Sequence, residues 1–370
     1  MEYRKLKTLA KYPTGKLNSN AAVEDGEYPF FTCAHDIFRI DQYSYDGEYV
    51  LLGGNNASGD FPVFYYNGKF DAYQRTYLIQ PLSEDTDTKY LYYSIGLKLH
   101  QMKANAAGTA TKFLTQPILN NINIEYRDIE EQRKIADILS TYDNLIENNN
   151  KRIRLLEQMA ESLYKEWFVR FRFPGYEDVE FENGFPKDWK IERLSDIADI
   201  IMGQSPESEN YNNNCEGLPF HQGVGSYGDF YLIDDIYSTK GNRIAEANSI
   251  IFSVRAPVGR INITLNKIIL GRGVASINSV KGYNAYLLWM LKNQFQQVDI
   301  IGNGSIFTSV TKKELFGFKI LMPHEDLIQK FDSIASGIEG EMRKLSLIND
   351  NLAKQRDMLL PRLMSGKLEV

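Results

Sequence analysis

The feature that most constrains this chain is that its second half repeats its first. YRKLKTLAKYPTGK, from Tyr3, lies over WKIERLSDIADIIMGQ, from Trp189, at an offset of 188 residues. Leu6 then meets Leu194, Leu9 meets Ile197, Ala10 meets Ala198 and Gly15 meets Gly203. Further on, YPF at Tyr28 answers LPF at Leu218, YVLL at Tyr49 answers SIIF at Ser249, and YQRTYLI at Tyr73 answers LGRGVASI at Leu270. Each unit then carries a glycine-containing element, GTATKFLT from Gly108 and GNGSIFTSVT from Gly302. The common order of these pairs, with the offset drifting only to about 200, points to two copies of one module.

Each copy closes on a long segment of helical period. IEEQRKIADILSTYDNLIENNNKRIRLLEQMAESLYKEWF, from Ile129 to Phe168, holds neither proline nor glycine. Its counterpart runs from His324 to about Met364 at an offset of 196, a whole number of heptads. The heptads predict a positions at Ile135, Tyr142, Asn149, Leu156 and Leu163, with Ile138, Leu145 and Met159 at d. In the second helix they predict Phe331, Ile338, Leu345, Leu352 and Leu359 at a, with Ile334 and Ile348 at d. Leu139, Ile146 and Ile153 widen the first stripe. Asp128 and Glu131 form an expected capping box, Pro174 and Gly175 follow the first helix, and Pro361 and Gly366 are expected to limit the second. Asn149 reads either as a solvated defect in the seam or as a register-setting residue. Gly337, Gly340 and Glu341 are expected to weaken the middle of the second helix.

Between the helices lie short β-type runs such as EYVLLGG, FPVFYYNGKF, RTYLI, NSIIFSV and GRINITL, many set off by NG or DG turn signals. The expected fold is therefore α+β. Two tandem strand-rich modules are each followed by a long helix, and the helices pack as an antiparallel coiled coil with pseudo-twofold symmetry. The expected boundaries are 1–128 for the first module, 129–170 for the central spacer helix and 171–188 for a linker. The second module follows at 189–322, and the C-terminal spacer helix and tail at 323–370. Two readers on one spacer suit a DNA site split into two halves, since half-sites one turn apart lie ~34 Å apart.

Composition sets bounds on partners and compartment. The net charge of −6 argues against a stand-alone nucleic-acid binder and leaves room for a basic partner. No apolar run approaches the roughly 18 residues that a membrane span needs. The first residues lack an apolar core and a cleavage site, so no secretory signal is expected. Cys33 and Cys215 are the two cysteines and show no metal spacing, and the expected compartment is the cytoplasm.

The central block EEQRKIADILSTYDNLIENNNKRIRLLEQMAESLYKEWFVRFRFPGYEDVEFENGFPKDW, the closing LLPRLMSGKL and the module–helix–module–helix order resemble the specificity subunits of type I restriction-modification systems. The resemblance covers nearly the whole chain. It implies that each strand-rich module is a target recognition domain reading one half of a split double-stranded DNA site. The helices would set the gap and dock two adenine methyltransferase subunits, with motor-nuclease subunits as further partners. It implies no catalysis and no bound cofactor in this chain. S-adenosylmethionine would belong to the methyltransferase, and ATP and Mg to the restriction subunit.

The residues themselves carry no recognisable reaction chemistry. There is no D/N-P-P-Y/F element for adenine methylation, no G-x-x-x-x-G-K-S/T cradle and no nucleophile elbow. LLGGNNASGD, from Leu51, reads as a surface turn, and His35, His100, His221 and His324 lack zinc spacing. Two rival classes, a sugar-binding β protein and an enzyme with an unrecognised site, find less support than a recognition subunit.

Direct readout favours Arg, Lys, Asn and Gln, and backbone contacts add Ser and Thr. Such residues fall in turns at equivalent places in the two copies. Lys16 and Asn18 follow Gly15, as Gln204 and Ser205 follow Gly203. Asn55, Asn56 and Ser58 follow one strand, as Ser253, Arg255 and Arg260 follow the other. Gln74 and Arg75 stand where Arg272 does, and Thr109, Thr111 and Lys112 stand where Asn303, Ser305 and Thr308 do. Solvated loops are the alternative for each, and a structural salt bridge is the alternative for Arg75 and Arg272. The aromatic FYYNGKF is expected to pack a core rather than to stack bases.

Overall fold

The β-type runs do form strands, and they do so twice around the same scaffold. A computed structural model describes residues 2–56, 59–105, 113–300 and 309–370. It divides into two compact units, one of residues 1–148 and 348–370 and the other of residues 149–347.

In the first unit, six strands form one sheet in the order Ala10–Lys11, Thr76–Pro81, Tyr45–Gly53, Val63–Ala72, Tyr28–Phe31 and Phe38–Ile40. Its backbone is the long antiparallel pair Tyr45–Gly53 and Val63–Ala72, in register from Tyr45 opposite Phe70 to Leu52 opposite Val63. The DG and NG dipeptides at Asp46–Gly47 and Asn67–Gly68 mark no turns. Gly47 and Gly68 face each other inside this ladder, both at positive φ, where glycine alone fits without strain. Val50, Leu52 and Ile79 face the helix Thr88–Asn105 and share its core with Tyr90, Leu91 and Ile95. On the opposite face Phe31, Leu51 and Phe70 form a second core, and Phe64 and Tyr66 of FYYNGKF pack against it.

The second unit splits the corresponding strands. Ala198–Met202, Val274–Ser279, Ile250–Ser253 and Ile261–Ile263 make a four-stranded sheet. Five short strands, among them Leu218–His221 and Ile268–Leu270, make another. The helix Asn284–Ile300 buries Leu288, Trp289 and Leu291 in the main core.

Beneath these differences one hydrogen-bond scheme recurs. Glu2–Lys5 pairs with Asn123–Tyr126 as Lys190–Arg193 pairs with Lys319–Met322. Leu6 N donates to Ile122 O and Leu194 N to Phe318 O, both at 2.8 Å. A parallel strand pairing is also shared, with Phe30 opposite Asp71 and Phe220 opposite Ile269.

Both long helices are continuous, Ile129–Tyr164 and Glu325–Met364, and a π turn, Lys165–Val169, extends the first. Gly337, Gly340 and Pro361 all lie inside the second helix. Pro361 sits in the last turn, where it forfeits a single i→i−4 bond, and the chain leaves the helix at Gly366 with φ 67°. Asp128 caps the first helix in half a capping box. Glu131 N donates to Asp128 Oδ1 at 2.8 Å, while the Glu131 carboxylate turns to Arg127.

Within each unit the helix segments run antiparallel. In the first, Arg356 pairs with Asp143 at 2.5 Å, and Leu363 and Met364 share a core with Ile135 and Leu139. In the second, Phe331 meets Tyr164 at a ring separation of 5.8 Å, and Arg152 meets Glu341 at 3.5 Å.

The seam follows a different frame from the predicted one. Ile135, Asn149, Phe331, Ile338 and Leu345 are buried, and Tyr142, Leu156, Leu163, Leu352 and Leu359 are half-buried. Their seam partners, however, lie four residues on, at Leu139, Ile146, Ile153 and Ala160 in the first helix and Ala335 and Met342 in the second. Ile138, Leu145, Met159, Ile334 and Ile348 are 37%, 45%, 57%, 43% and 47% exposed. The a–d spacing is three residues and the d–a spacing four, so the predicted a residues occupy d. Ile138–Leu139 and Leu145–Ile146 are adjacent apolar pairs, and periodicity alone allows either member of each into the seam.

Candidate nucleic-acid interface

At one end of each main strand set, three chain segments are laced together by backbone bonds around a tight turn. In the first unit that turn is Tyr73–Arg75, between strands Val63–Ala72 and Thr76–Pro81. Gly15 N donates to Thr76 O at 2.9 Å and Gln74 N to Leu17 O at 2.8 Å. From the other side Gly54 N donates to Arg75 O at 2.8 Å, and Leu114 N to Gly54 O at 2.9 Å. The glycine at position 15 is required, since a Cβ there would stand 2.2 Å from Ala72 O. Gly53 and Gly54 are also crowded, by Pro62 and by Arg75 O. LLGGNN is thus a packed backbone crossing and not an open turn.

This lacing brings the exposed Lys16, Asn18, Gln74 and Arg75 alongside the half-buried Asn55 and Asn56. Ser58, Thr109, Thr111 and Lys112 lie outside the described residues.

The second unit builds the same crossing around Gly271–Gly273. Gly203 N donates to Val274 O at 3.0 Å, Gln204 N to Leu270 O at 2.9 Å, Val254 N to Gly273 O at 2.9 Å and Val310 N to Val254 O at 2.9 Å. A Cβ on Gly203 would stand 2.1 Å from Gly271 O. Asn55 bridges to Phe113 as Arg255 bridges to Ser309. Gln204, Arg255 and Arg272 are exposed around this crossing, and Ser205 Oγ accepts from Arg272 N at 3.2 Å.

Ser253 stands apart. It is 1% exposed, its hydroxyl donates to Pro257 O at 2.7 Å, and it accepts from Arg260 N at 2.9 Å, so it closes the loop that presents Arg255. Arg260 is exposed at the far end of that loop. Asn303, Ser305 and Thr308 lie outside the described residues. Among the described residues neither the Arg75 nor the Arg272 guanidinium has an ion-pair partner, which leaves both available to an anionic ligand.

One neighbouring group escapes a sequence reading. His221 is buried beside this crossing, with Nδ1 2.8 Å from Ser226 Oγ and Nε2 2.9 Å from Asp234 Oδ1. Burial pushes the Asp234 carboxyl up, but hydrogen bonds from His221 and Asn266 outweigh it and hold the group below its usual range. Residues 13 and 32 positions apart meet here, and no local pattern announces them. Among the described residues no group of three or more His, Cys, Asp or Glu is placed to hold a metal.

Two crossings of one design, each fringed by guanidinium and amide groups, give each unit an exposed polar surface at the same place in its hydrogen-bond scheme. The type I restriction modification DNA specificity domain matches residues 1–158 and 186–336, and the chain belongs to that family. It is similar to a Methanocaldococcus jannaschii protein assigned as the MjaX type I restriction enzyme specificity subunit, at 32% identity over 70% of this chain and 62% of that relative. The aligned region thus spans less than two thirds of that relative. It is also similar to the Escherichia coli EcoDI type I restriction enzyme specificity subunit, at 26% identity over 97% of this chain and 87% of the relative. The crystal structure of a type I restriction-modification S subunit from M. genitalium shares the fold. It superposes with a TM-score of 0.59 and 16% identity over 98% of this chain and 95% of that one.

Proposed function

We propose that this chain is the DNA sequence-specificity subunit of a type I restriction-modification complex, and that each module reads one half of a split site. The observation that carries this reading is the crossing built twice, with Asn55 and Arg255, and Gln74 and Arg272, at equivalent points of one hydrogen-bond scheme. The target recognition domains are 1–128 and 189–322, joined by the spacer at 129–170 and the linker at 171–188, with the second spacer and tail at 323–370. Amide and guanidinium groups read adenine and guanine edges, and the remaining polar groups hold phosphates.

The long helices set the gap between half-sites. Their exposed apolar residues, Ile138 and Leu145 in one unit and Met159 and Ile334 in the other, suit docking of two adenine methyltransferase subunits. Those subunits would bring S-adenosylmethionine, and a restriction subunit would bring ATP and Mg. This chain recognises and does not catalyse. No helix among the described residues is long and apolar enough to cross a membrane, and a DNA-reading role places the chain in the cytoplasm.

Exchanging residues 189–322 for the equivalent module of a relative tests this directly. The methylated motif is expected to change in one half only; a motif changed in both halves, or in neither, contradicts it.

A further inference from the structure

The loop that follows the strand Leu218–His221 is the least explained part of the second module. It runs Gln222–Gly223–Val224–Gly225–Ser226, and two of its five residues are glycines that the fold does not require. Neither Gly223 nor Gly225 has a φ in the left-handed region, and a Cβ built on either meets no atom within 4 Å. By contrast, Gly203, Gly271 and Gly273 would each drive a Cβ into backbone. Glycine that neither turn geometry nor internal packing demands leaves room for close approach by something outside the chain.

The loop is nonetheless firmly held. Gly271 N donates to His221 O at 2.8 Å, and Ile233 N donates to Ser226 O at 2.9 Å. The buried His221 ring ties Ser226 to Asp234, and Asn266 Nδ2 holds the other oxygen of that carboxylate at 2.7 Å. The exposed Gln222 is thereby laid across the Gly271–Arg272–Gly273 turn, where a Cβ on Gly273 would stand 2.1 Å from Gln222 O. An exposed amide residue and an exposed arginine thus stand on adjoining backbone segments, next to two residues with no side chain.

We propose that the loop Gln222–Ser226 is the element by which the second module meets its DNA half-site, with Gln222 reading a base edge beside Arg272 and Gly223 and Gly225 admitting the sugar–phosphate backbone. His221 is a positioning residue for this loop. Glutamine matches the N6 and N7 edge of adenine, so adenine is the base expected opposite Gln222. The assignment rests on the DNA-recognition reading above.

The test uses the full chain assembled with its companion methyltransferase subunits, together with Gln222→Ala and Gly225→Val variants. Duplexes carry the mapped split motif intact, with its first half scrambled or with its second half scrambled. Melting temperatures are expected to match wild type for both variants, because Gln222 is exposed and a Cβ on Gly225 meets open space. For Gln222→Ala, discrimination against the scrambled second half should fall at least tenfold, while discrimination against the scrambled first half is unchanged. For Gly225→Val, affinity for the intact duplex should fall at least tenfold. If both variants discriminate and bind as wild type does, the loop assignment is overturned and the recognition reading stands. If wild type itself prefers neither half, both fall together.

Discussion

Glu339 shows how a single half-buried group shapes the second unit. Its carboxylate accepts from Trp289 Nε1 at 3.0 Å, yet burial dominates and pushes its pKa up to about 7. A folded-state pKa above the unfolded value means that the native state holds the extra proton between pH about 4.5 and about 7. Stability from this group is therefore full below that window, is lost as pH rises through it, and is level above it. Glu339→Gln keeps an acceptor for Trp289 and removes the charge. Its advantage over wild type should be near zero at pH 4 and reach on the order of 3 kcal/mol at most by pH 8, as measured by denaturant unfolding across that range. An advantage that does not vary with pH would contradict this.

At the same scale, Gly203→Ala forces a Cβ against Gly271 O and should cost about 1–3 kcal/mol, read as a lowered unfolding midpoint. The requirement for glycine at Gly15 and Gly203 is visible in the sequence only as two aligned residues. Its cause, a carbonyl 57 positions away for Gly15 and 68 for Gly203 (a chain crossing of the kind that makes glycine obligatory), is a tertiary fact.

Among elements, the helices were the most legible and the seam the least. Long glycine- and proline-poor runs with apolar residues three and four apart specify a helix in any tertiary setting. The choice between Ile138 and Leu139, or between Leu145 and Ile146, depends on where the partner helix lies, and the sequence of one helix does not encode that. The strands show the same limit. EYVLLGG reads correctly as a strand, whereas DG at Asp46–Gly47 and NG at Asn67–Gly68 mimic hairpin turns and instead pair across a ladder. The seam frame predicts a sharp contrast. Leu139→Ala should cost about 2–5 kcal/mol, while Leu145→Ala should change stability by no more than about 0.5 kcal/mol and instead weaken capture of the methyltransferase in a pull-down titration. Equal stability losses would return the seam to the predicted frame.

For the whole molecule, the duplication was legible because each scaffold contact is made by residues at nearly constant offset. Leu6 to Ile122 and Leu194 to Phe318 use the same two ends of each module, so the repeat survives even where the sheets diverge. The proposed recognition surface has a local and a tertiary part. Lys16, Gln74, Arg75, Gln204 and Arg272 stand out as polar residues in turns, but the His221 loop is assembled by contacts remote in sequence. A seven-residue insertion in both long helices, at matched points of the seam, lengthens each by about 10 Å. It should widen the gap between half-sites by about three base pairs at ~3.4 Å each and leave both half-sites unaltered. An unchanged gap would show that helix length does not set it.

The proposed role of this chain is to give a methyltransferase its sequence. It is tested most directly by mapping methylated adenines in cells that carry the companion methyltransferase subunits, with and without this chain. The expected result is a split motif, two short defined halves around a fixed undefined gap, that is methylated only when the chain is present. With an active methyltransferase and a folded chain, methylation that is absent, or that follows a motif independent of the chain, would contradict it.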